Sequence, residues 1–360
     1  MKRVLSVLLT IALAVSLSAC GGQSSSNTTT TTGSTSGSGS QGSSSGSASG
    51  YTGGTYTISL GHICSETHSL HRACLEFEKF VEEQSGGAIS VELHPNGVLG
   101  GDEAMLESVA LGTLTMVVPS ASVMNVYVPA YGILAMPYLF TSTEDAFAAV
   151  DSGLGDLLDQ KLLDANVGLT NLGYNFNGIR NMTNNTRPVA TVSDLKGLKM
   201  RCMSNEMFVT MFDLMGANAT PMSFSELFTA LQQGTVDGQE NPASLIYESK
   251  FQEVQKYFTT TEHIYDFCTI IINSDFYAGL DDQAKAIVDE GVQTYLVDYQ
   301  RELEVSENDE YIQKLADEGM EVTYLTDEQK ATFAEAVAPM YDNAAETFGQ
   351  DVMDAVAEYR

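Results

Sequence analysis

The sequence predicts an α/β protein of two lobes that close as a hinged clamshell, with a long helix packed along both. Three observations predict it. Short apolar strands alternate with amphipathic helices from residue 57 onward, a second alternation begins near residue 194, and a helical pattern runs from residue 283 to about 316.

The chain begins with Lys2 and Arg3, an apolar run over residues 4–17, and the tetrad Leu17-Ser18-Ala19-Cys20. The run is shorter than the roughly 18 to 20 residues that cross a bilayer as a helix, and small residues suited to cleavage end it, so residues 1–19 read as a secretory signal. The tetrad resembles the lipobox of bacterial lipoproteins, which implies that Cys20 becomes the acylated N-terminus and anchors the protein to the outer face of the cell membrane. The alternative is an ordinary signal peptide that happens to contain a cysteine.

Residues 20–54 form a tether. After Cys20 the composition is almost wholly Gly, Ser, Thr, Asn and Gln, without charge and with one aromatic, Tyr51. Such a segment buries too little apolar surface to offset its ordering entropy. As a flexible coil it spans about 30 Å. Gly42-Ser43-Ser44-Ser45-Gly46 matches the nucleophile-elbow pattern, but no strand precedes it and no helix follows, so the match carries no weight.

In the folded part, residues 57–60 read as a strand. Leu70, Ala73, Cys74, Phe77, Phe80 and Val81 then recur at helical spacing until Gly86-Gly87 stops them. Ile89, Val91 and Leu93 alternate as a strand, residues 102–111 are a helix closed by Gly112, and 114–118 are an apolar strand. This β-α-β-α-β order marks a mostly parallel sheet with both faces covered. After residues 168–172 comes a polar, Asn-rich segment at 177–187. The second alternation follows, with a turn at 194–197, a strand at 198–202 and a helix at 206–215 ended by Gly216. Ser223-Phe224-Ser225-Glu226 reads as a capping box with Phe224 in the first turn. A strand at 266–273, the long helix and two final helices complete the chain. The lobes divide as 55–177 with 267–306 (lobe I) and 178–266 with 307–360 (lobe II).

Charge excludes some partners. With 17 Lys and Arg against 47 Asp and Glu, the formal charge is −30, and loss of Lys2 and Arg3 with the signal deepens it. Nucleic acid and anionic membrane surfaces are poor partners for such a chain. An acidic protein that captures an anion must build a local cation site, and arginine suits it because its planar fork meets a carboxylate with two hydrogen bonds. Beyond the signal there are only six arginines: Arg72, Arg180, Arg187, Arg201, Arg301 and Arg360. Arg201 lies at the carboxyl end of its strand, where open α/β sheets usually bind ligands.

Several runs carry a family resemblance: Leu195-Lys196-Gly197-Leu198-Lys199-Met200-Arg201, Pro221-Met222-Ser223-Phe224-Ser225-Glu226-Leu227, and Val236-Asp237-Gly238-Gln239-Glu240-Asn241-Pro242. Asn177-Gly178-Ile179-Arg180 and His94-Pro95-Asn96-Gly97 extend them. The match runs over nearly all of residues 55–345 and resembles the solute receptors of tripartite ATP-independent periplasmic (TRAP) transporters, of the dicarboxylate-receptor (DctP) type. The resemblance implies a periplasmic-binding-protein fold and an extracytoplasmic protein that delivers a small organic acid to TRAP permease subunits. It implies that Arg201 pairs with the ligand carboxylate, that Asn241 helps to fix it, and that Arg180 and Phe224 line the same cleft. Two cations would also suit a dianion. For Phe224 the alternative is plain core packing. At the end of the 114–118 strand, where the sialic-acid branch carries a glutamate, this chain has Pro119-Ser120-Ala121, which argues against sialate and offers Ser120 as a hydrogen-bonding residue.

A rival signal is the cluster His62, Cys64, His68, His71 and Cys74, five soft-metal ligands within thirteen residues. It makes a metal-capturing lipoprotein the alternative function, although its spacing fits no standard zinc module. In the family this first strand-to-helix loop borders the cleft, so the resemblance equally points to His68 or His71 at the far end of the ligand, with Cys64 and Cys74 free or bridged. Pairing of Cys202 with Cys268 is likewise open. The sequence holds no nucleophile with a base, no phosphate-binding glycine loop and no His-Glu-x-x-His pair, so neither an enzyme nor a cofactor is expected.

Overall fold

The computed structural model describes residues 50–359, so Cys20, the signal and most of the tether lie outside the described residues. Nine strands follow in chain order: β1 (Tyr56–Gly61), β2 (Ile89–His94), β3 (Met116–Val117), β4 (Leu169–Asn184), β5 (Lys199–Cys202), β6 (Asn218–Pro221), β7 (Gly238–Pro242), β8 (Tyr257–Asn273) and β9 (Glu321–Thr323). They form one sheet in the order β2-β1-β3-β8-β4-β7-β5-β6, with β9 paired to β8.

The expected alternation is present at both ends of this sheet. β1 pairs in parallel with β2 and β3, and β5 pairs in parallel with β6 and β7. A helix, Ser69–Ser85, makes the crossover from β1 to β2 and buries Leu70, Ala73, Cys74, Phe77 and Val81, the face its spacing predicted. Gly86 ends it in the left-handed conformation (φ 61°), and the Gly86 and Gly87 amides return to the Glu83 and Glu82 carbonyls.

The two ends are joined by strands much longer than expected. β4 has 16 residues and β8 has 17, and they run antiparallel against each other. The carboxyl end of β8 lies beside β3, while the carboxyl end of β4 lies beside β7. Each long strand therefore belongs to both halves, the arrangement of a two-lobed clamshell whose hinge is made of strands. The polar, Asn-rich segment forms the second half of β4. Its Asn181, Thr183 and Asn184 are buried and partnered: Asn181 Oδ1 accepts the Glu262 amide of β8, Thr183 accepts from Gln239 of β7, and Asn184 Oδ1 accepts the Thr186 and Arg187 amides, which a residue-by-residue reading of polarity does not anticipate.

The long helix is continuous from Asp282 to Asp317, with a π-helical stretch at Val292–Tyr299 between α-helical ends. Glu304 in its second half accepts hydrogen bonds from Ser69, at the start of the helix after β1, and from Ser244, in the helix after β7. One buried carboxylate thus ties the long helix to both halves.

The capping box at Ser223 does not form. Ser223 precedes the helix Phe224–Gln232, but its hydroxyl meets the Ser225 hydroxyl at 3.1 Å and accepts no backbone amide. The four described cysteines, Cys64, Cys74, Cys202 and Cys268, are free and buried, without a bridge between either pair. Among the described residues no helix is long and apolar enough to cross a membrane.

Candidate functional site

Arg201 and Asn241, each next to last in β5 and β7, line a cavity of about 520 Å³, mouth included, that also receives the start of the helix Asp102–Ala110. Five expected site residues meet there: Arg180, Arg201, Phe224, Asn241 and Ser120. His68 and His71 do not line it. His68 instead caps the Ser69–Ser85 helix through Nδ1, which accepts the Leu70 amide at 3.2 Å. His71 Nδ1 lies 3.1 Å from His62 Nε2, inside the protein.

The metal alternative fails on the same geometry. Among the described residues no group of His, Cys, Asp or Glu could hold a metal ion. One ring nitrogen each of His62, His68 and His71 is spent on protein contacts, and Cys64 faces the cavity rather than the histidines. Burial lowers the His62 pKa to about 3 and that of His68 to about 4, so both rings are neutral.

The two cavity arginines are each 1% exposed but differ in their partners. Arg180 is saturated. Its Nη1 donates to Asp266 at 2.6 Å, and its Nη2 donates to Glu240 Oε1 at 2.7 Å, the Glu240 carbonyl at 2.8 Å and Asn241 Oδ1 at 2.9 Å. Burial works against its charge, yet Glu240 and Asp266 hold its pKa above the ordinary value. His263 adds a 3.2 Å contact to Glu240, and Asn177 donates to Asp266 at 2.7 Å. The local fold depends on Gly178 (φ 115°), where an added Cβ would lie 2.7 Å from the Pro242 side chain. The expectation of two cations for one ligand is therefore corrected, because Arg180 is already balanced by two carboxylates.

Arg201 is left unbalanced. Its Nε and Nη2 donate to the Met222 carbonyl at 3.1 and 2.9 Å, which fixes the backbone just before Phe224. Its guanidinium carbon sits 5.8 Å from the centre of the Phe224 ring. Among the described residues Nη1 is buried without a partner and Arg201 forms no ion pair. Burial pulls its pKa down to about 10, so it stays charged at neutral pH. A buried charge without a counter-ion is costly unless something bound in the cavity supplies one.

Opposite in charge, Asp102 and Glu103 also line the cavity, and neither was expected there. Asp102 is 7% exposed; its Oδ2 accepts the Ser120 amide at 3.0 Å and its Oδ1 is buried without a partner. Burial pushes its pKa up to about 7, with the Ser120 amide acting the other way. The signal for it lay in the sequence, in two acids directly after Gly100-Gly101 at a helix start, but acids are common in the first turn of helices. Ser120 reaches the cavity through a bridge to Cys268 in β8, and its hydroxyl meets that of Ser122 at 2.9 Å.

A small, largely apolar cavity with a few convergent charged and polar groups, set where two sheet ends meet across shared strands, defines a solute-binding protein of the clamshell class. Comparison with known proteins makes this specific. Residues 60–347 match the family described as Bacterial extracellular solute-binding protein, family 7 (DctP). The chain is 33% identical over 281 residues to the 2,3-diketo-L-gulonate-binding periplasmic protein YiaO of Escherichia coli, covering 78% of this chain and 84% of that one. It is 32% identical over 301 residues to the C4-dicarboxylate-binding periplasmic protein DctP of Rhodobacter capsulatus, covering 83% and 89%. The crystal structure of the sugar acid binding protein DctPAm from Advenella mimigardefordensis, in complex with galactonate, superposes with a TM-score of 0.81 at 30% identity, over 85% of this chain and 99% of that one. The chain belongs to this family, the extracytoplasmic solute receptors of TRAP transporters, whose members bind substrate for transport.

Proposed function

We propose that this chain is a receptor that captures a small organic acid in the Arg201 cavity, held near the membrane by acylated Cys20, and delivers it to TRAP permease subunits. The observation that carries this reading is Arg201: a fully buried guanidinium with an unpartnered Nη1 and no carboxylate of its own. The ligand carboxylate completes it. Asn241, Phe224, Ser120 and Arg180 line the same cavity, with Arg180 setting its shape rather than neutralising the ligand. The relatives' ligands, a diketo sugar acid, a C4-dicarboxylate and galactonate, all present a carboxylate.

The lobes divide at 177/178 and 266/267. In support, the β4–β8 register shifts between the pairs Phe176–Phe267 and Gly178–Asp266, a place where the ladder bends most easily. The tether then holds the folded part within reach of a membrane permease.

Thermal-shift screening of the mature protein against a panel of organic acids tests the reading. A cognate acid at 100 times its dissociation constant stabilises by about 2.7 kcal/mol, and the shift should vanish in Arg201→Ala. Equal shifts in both proteins would refute it. Release of the protein from membranes by Cys20→Ser, read by fractionation, tests the anchor.

A further inference from the structure

On the lobe division and receptor reading given above, the long helix grips the strands at the point where the lobes part. Gln300 holds the Phe176 backbone twice, its Oε1 accepting the amide at 2.9 Å and its Nε2 donating to the carbonyl at 2.8 Å. One turn on, Glu304 is 3% exposed and sits against Gly178, where an added Cβ would lie 3.0 Å from its Oε1. Its two oxygens accept from hydroxyls of opposite lobes, Ser69 of lobe I and Ser244 of lobe II. The lobes themselves are in contact. Asn205 Nδ2 donates to the Ser122 carbonyl at 2.8 Å from one to the other, and Ser223 Oγ lies 2.5 Å from the place of a Cβ on Gly101.

Among the described residues Glu304 forms no ion pair. Arg72 faces it from the helix after β1 but is paired with Glu307 at 2.5 Å, and Glu307 faces it from the long helix with like charge. The other elements packed around it bring Cys64 and His68, both neutral through burial, and Glu248, whose carboxylate accepts from Tyr311 and Ser65. A buried carboxylate with hydroxyls but no cation disfavours its own charge. Parting of the lobes draws Ser69 away from Ser244 and admits water to Glu304, which favours the ion. The closed form therefore binds the Glu304 proton more tightly than the open form.

We propose that Glu304 is a proton-sensitive latch of the hinge: protonated, it holds the lobes closed between Ser69 and Ser244, and on losing its proton to solvent it favours the open form. The protonated oxygen donates to one serine while the other oxygen accepts from the second, so both links survive protonation. The preference for closure is complete below the pKa of the open form, near the ordinary carboxyl value, and is lost as pH rises through that of the closed form, which burial raises to about 7. Capture of an acid, which closes the lobes, takes up a proton, and release returns it.

Small-angle X-ray scattering of the unliganded mature protein from pH 5 to pH 9 tests the latch without any acid. The radius of gyration should grow as pH passes about 7 in the wild type. It should stay constant in Glu304→Gln, whose amide keeps the side-chain volume and both serine contacts but cannot ionise. Asp102 in the cavity is also raised by burial to about 7, but both proteins carry it, so a response due to Asp102 persists in the variant. Ser244→Ala removes a donor to the carboxylate and should move the wild-type midpoint up by about one pH unit, the effect of one hydrogen bond to a charged group. A wild-type radius that does not grow, a Glu304→Gln response parallel to it, or a midpoint that Ser244→Ala leaves in place overturns the latch. Each of these outcomes leaves the receptor reading intact, since the organic-acid screen decides that separately. Should Glu304→Gln not fold, the Ser244→Ala midpoint decides.

Discussion

Arg180 and Arg201 lie in the same cavity at equal burial, yet they do opposite work. Arg180 sits where β4, β7 and β8 run side by side, and the facing strands supply Glu240 and Asp266, so its charge is spent on holding the hinge strands together. Arg201 ends a short strand whose neighbours supply one carbonyl and an aromatic face, so its charge is still available. The buried acids repeat the contrast. Glu304 has both oxygens occupied by Ser69 and Ser244, whereas Asp102 has one oxygen occupied and one open. The difference teaches that within this cavity a saturated charge serves the structure and an unpaired buried one is left for the ligand.

The sharpest way to break the contrast is to truncate each arginine. Arg180→Ala leaves Glu240 and Asp266 facing each other without a cation, and should cost about 3 to 5 kcal/mol of stability in urea unfolding, enough to unfold much of the protein. Arg201→Ala removes an uncompensated charge, so the unliganded protein should unfold at an unchanged or higher midpoint. Its affinity for the cognate acid should fall by about 2 to 5 kcal/mol in calorimetry. If the two variants lost stability equally, the division of labour would be wrong.

A smaller effect tests the saturated acid by pH. The Glu304 pKa is raised by burial to about 7, with the Ser244 and Ser69 hydroxyls acting against the rise. A carboxyl whose folded pKa exceeds its unfolded value binds its proton more tightly when folded. Its contribution to stability is therefore fully present below the unfolded pKa of about 4.3 and is lost as pH rises through about 7. Unfolding of wild type and Glu304→Gln at pH 5 and pH 8 should show a wild-type loss larger than the variant's by on the order of 2 to 3 kcal/mol, since the buried Asp102 contributes to both. A parallel pH response in the two proteins would remove Glu304 from the account. The smallest effect is expected at Phe224. Replacing it by Leu keeps the apolar cover and removes the ring beneath Arg201, which should weaken acid binding by about 0.5 to 1 kcal/mol, a few-fold change in Kd, with little change in stability.

Much of this contrast was legible in the sequence, and the exceptions have physical causes. The β-α-β runs at both ends could be read because each buries a face at its own period, and the helix Ser69–Ser85 buries the residues its spacing indicated. β7 could not, because Gly238-Gln239-Glu240-Asn241-Pro242 has neither apolar alternation nor strand formers. It is a strand because β4 and β5 pair with it and because Arg180, Thr183 and His263 satisfy its buried polar side chains. The expectation for His68 and His71 failed for a related reason: a histidine at a loop fits a ligand, a cap or another histidine equally well in sequence, and only the neighbours in space choose.

What the sequence determined by itself is the class of fold and which arginine lies near the end of a strand beside the cavity, because these follow from local patterning and from runs of adjacent residues. What only the tertiary structure decided is which charges remain free. Neutralisation of Arg180 needs Glu240 and Asp266, 60 and 86 positions away, and the exposure of Asp102 Oδ1 to the cavity depends on the Ser120 amide 18 positions on. Charge pairing acts over a few ångströms in space and is indifferent to distance along the chain, so the ligand's chemistry is written in contacts that the order of residues does not display.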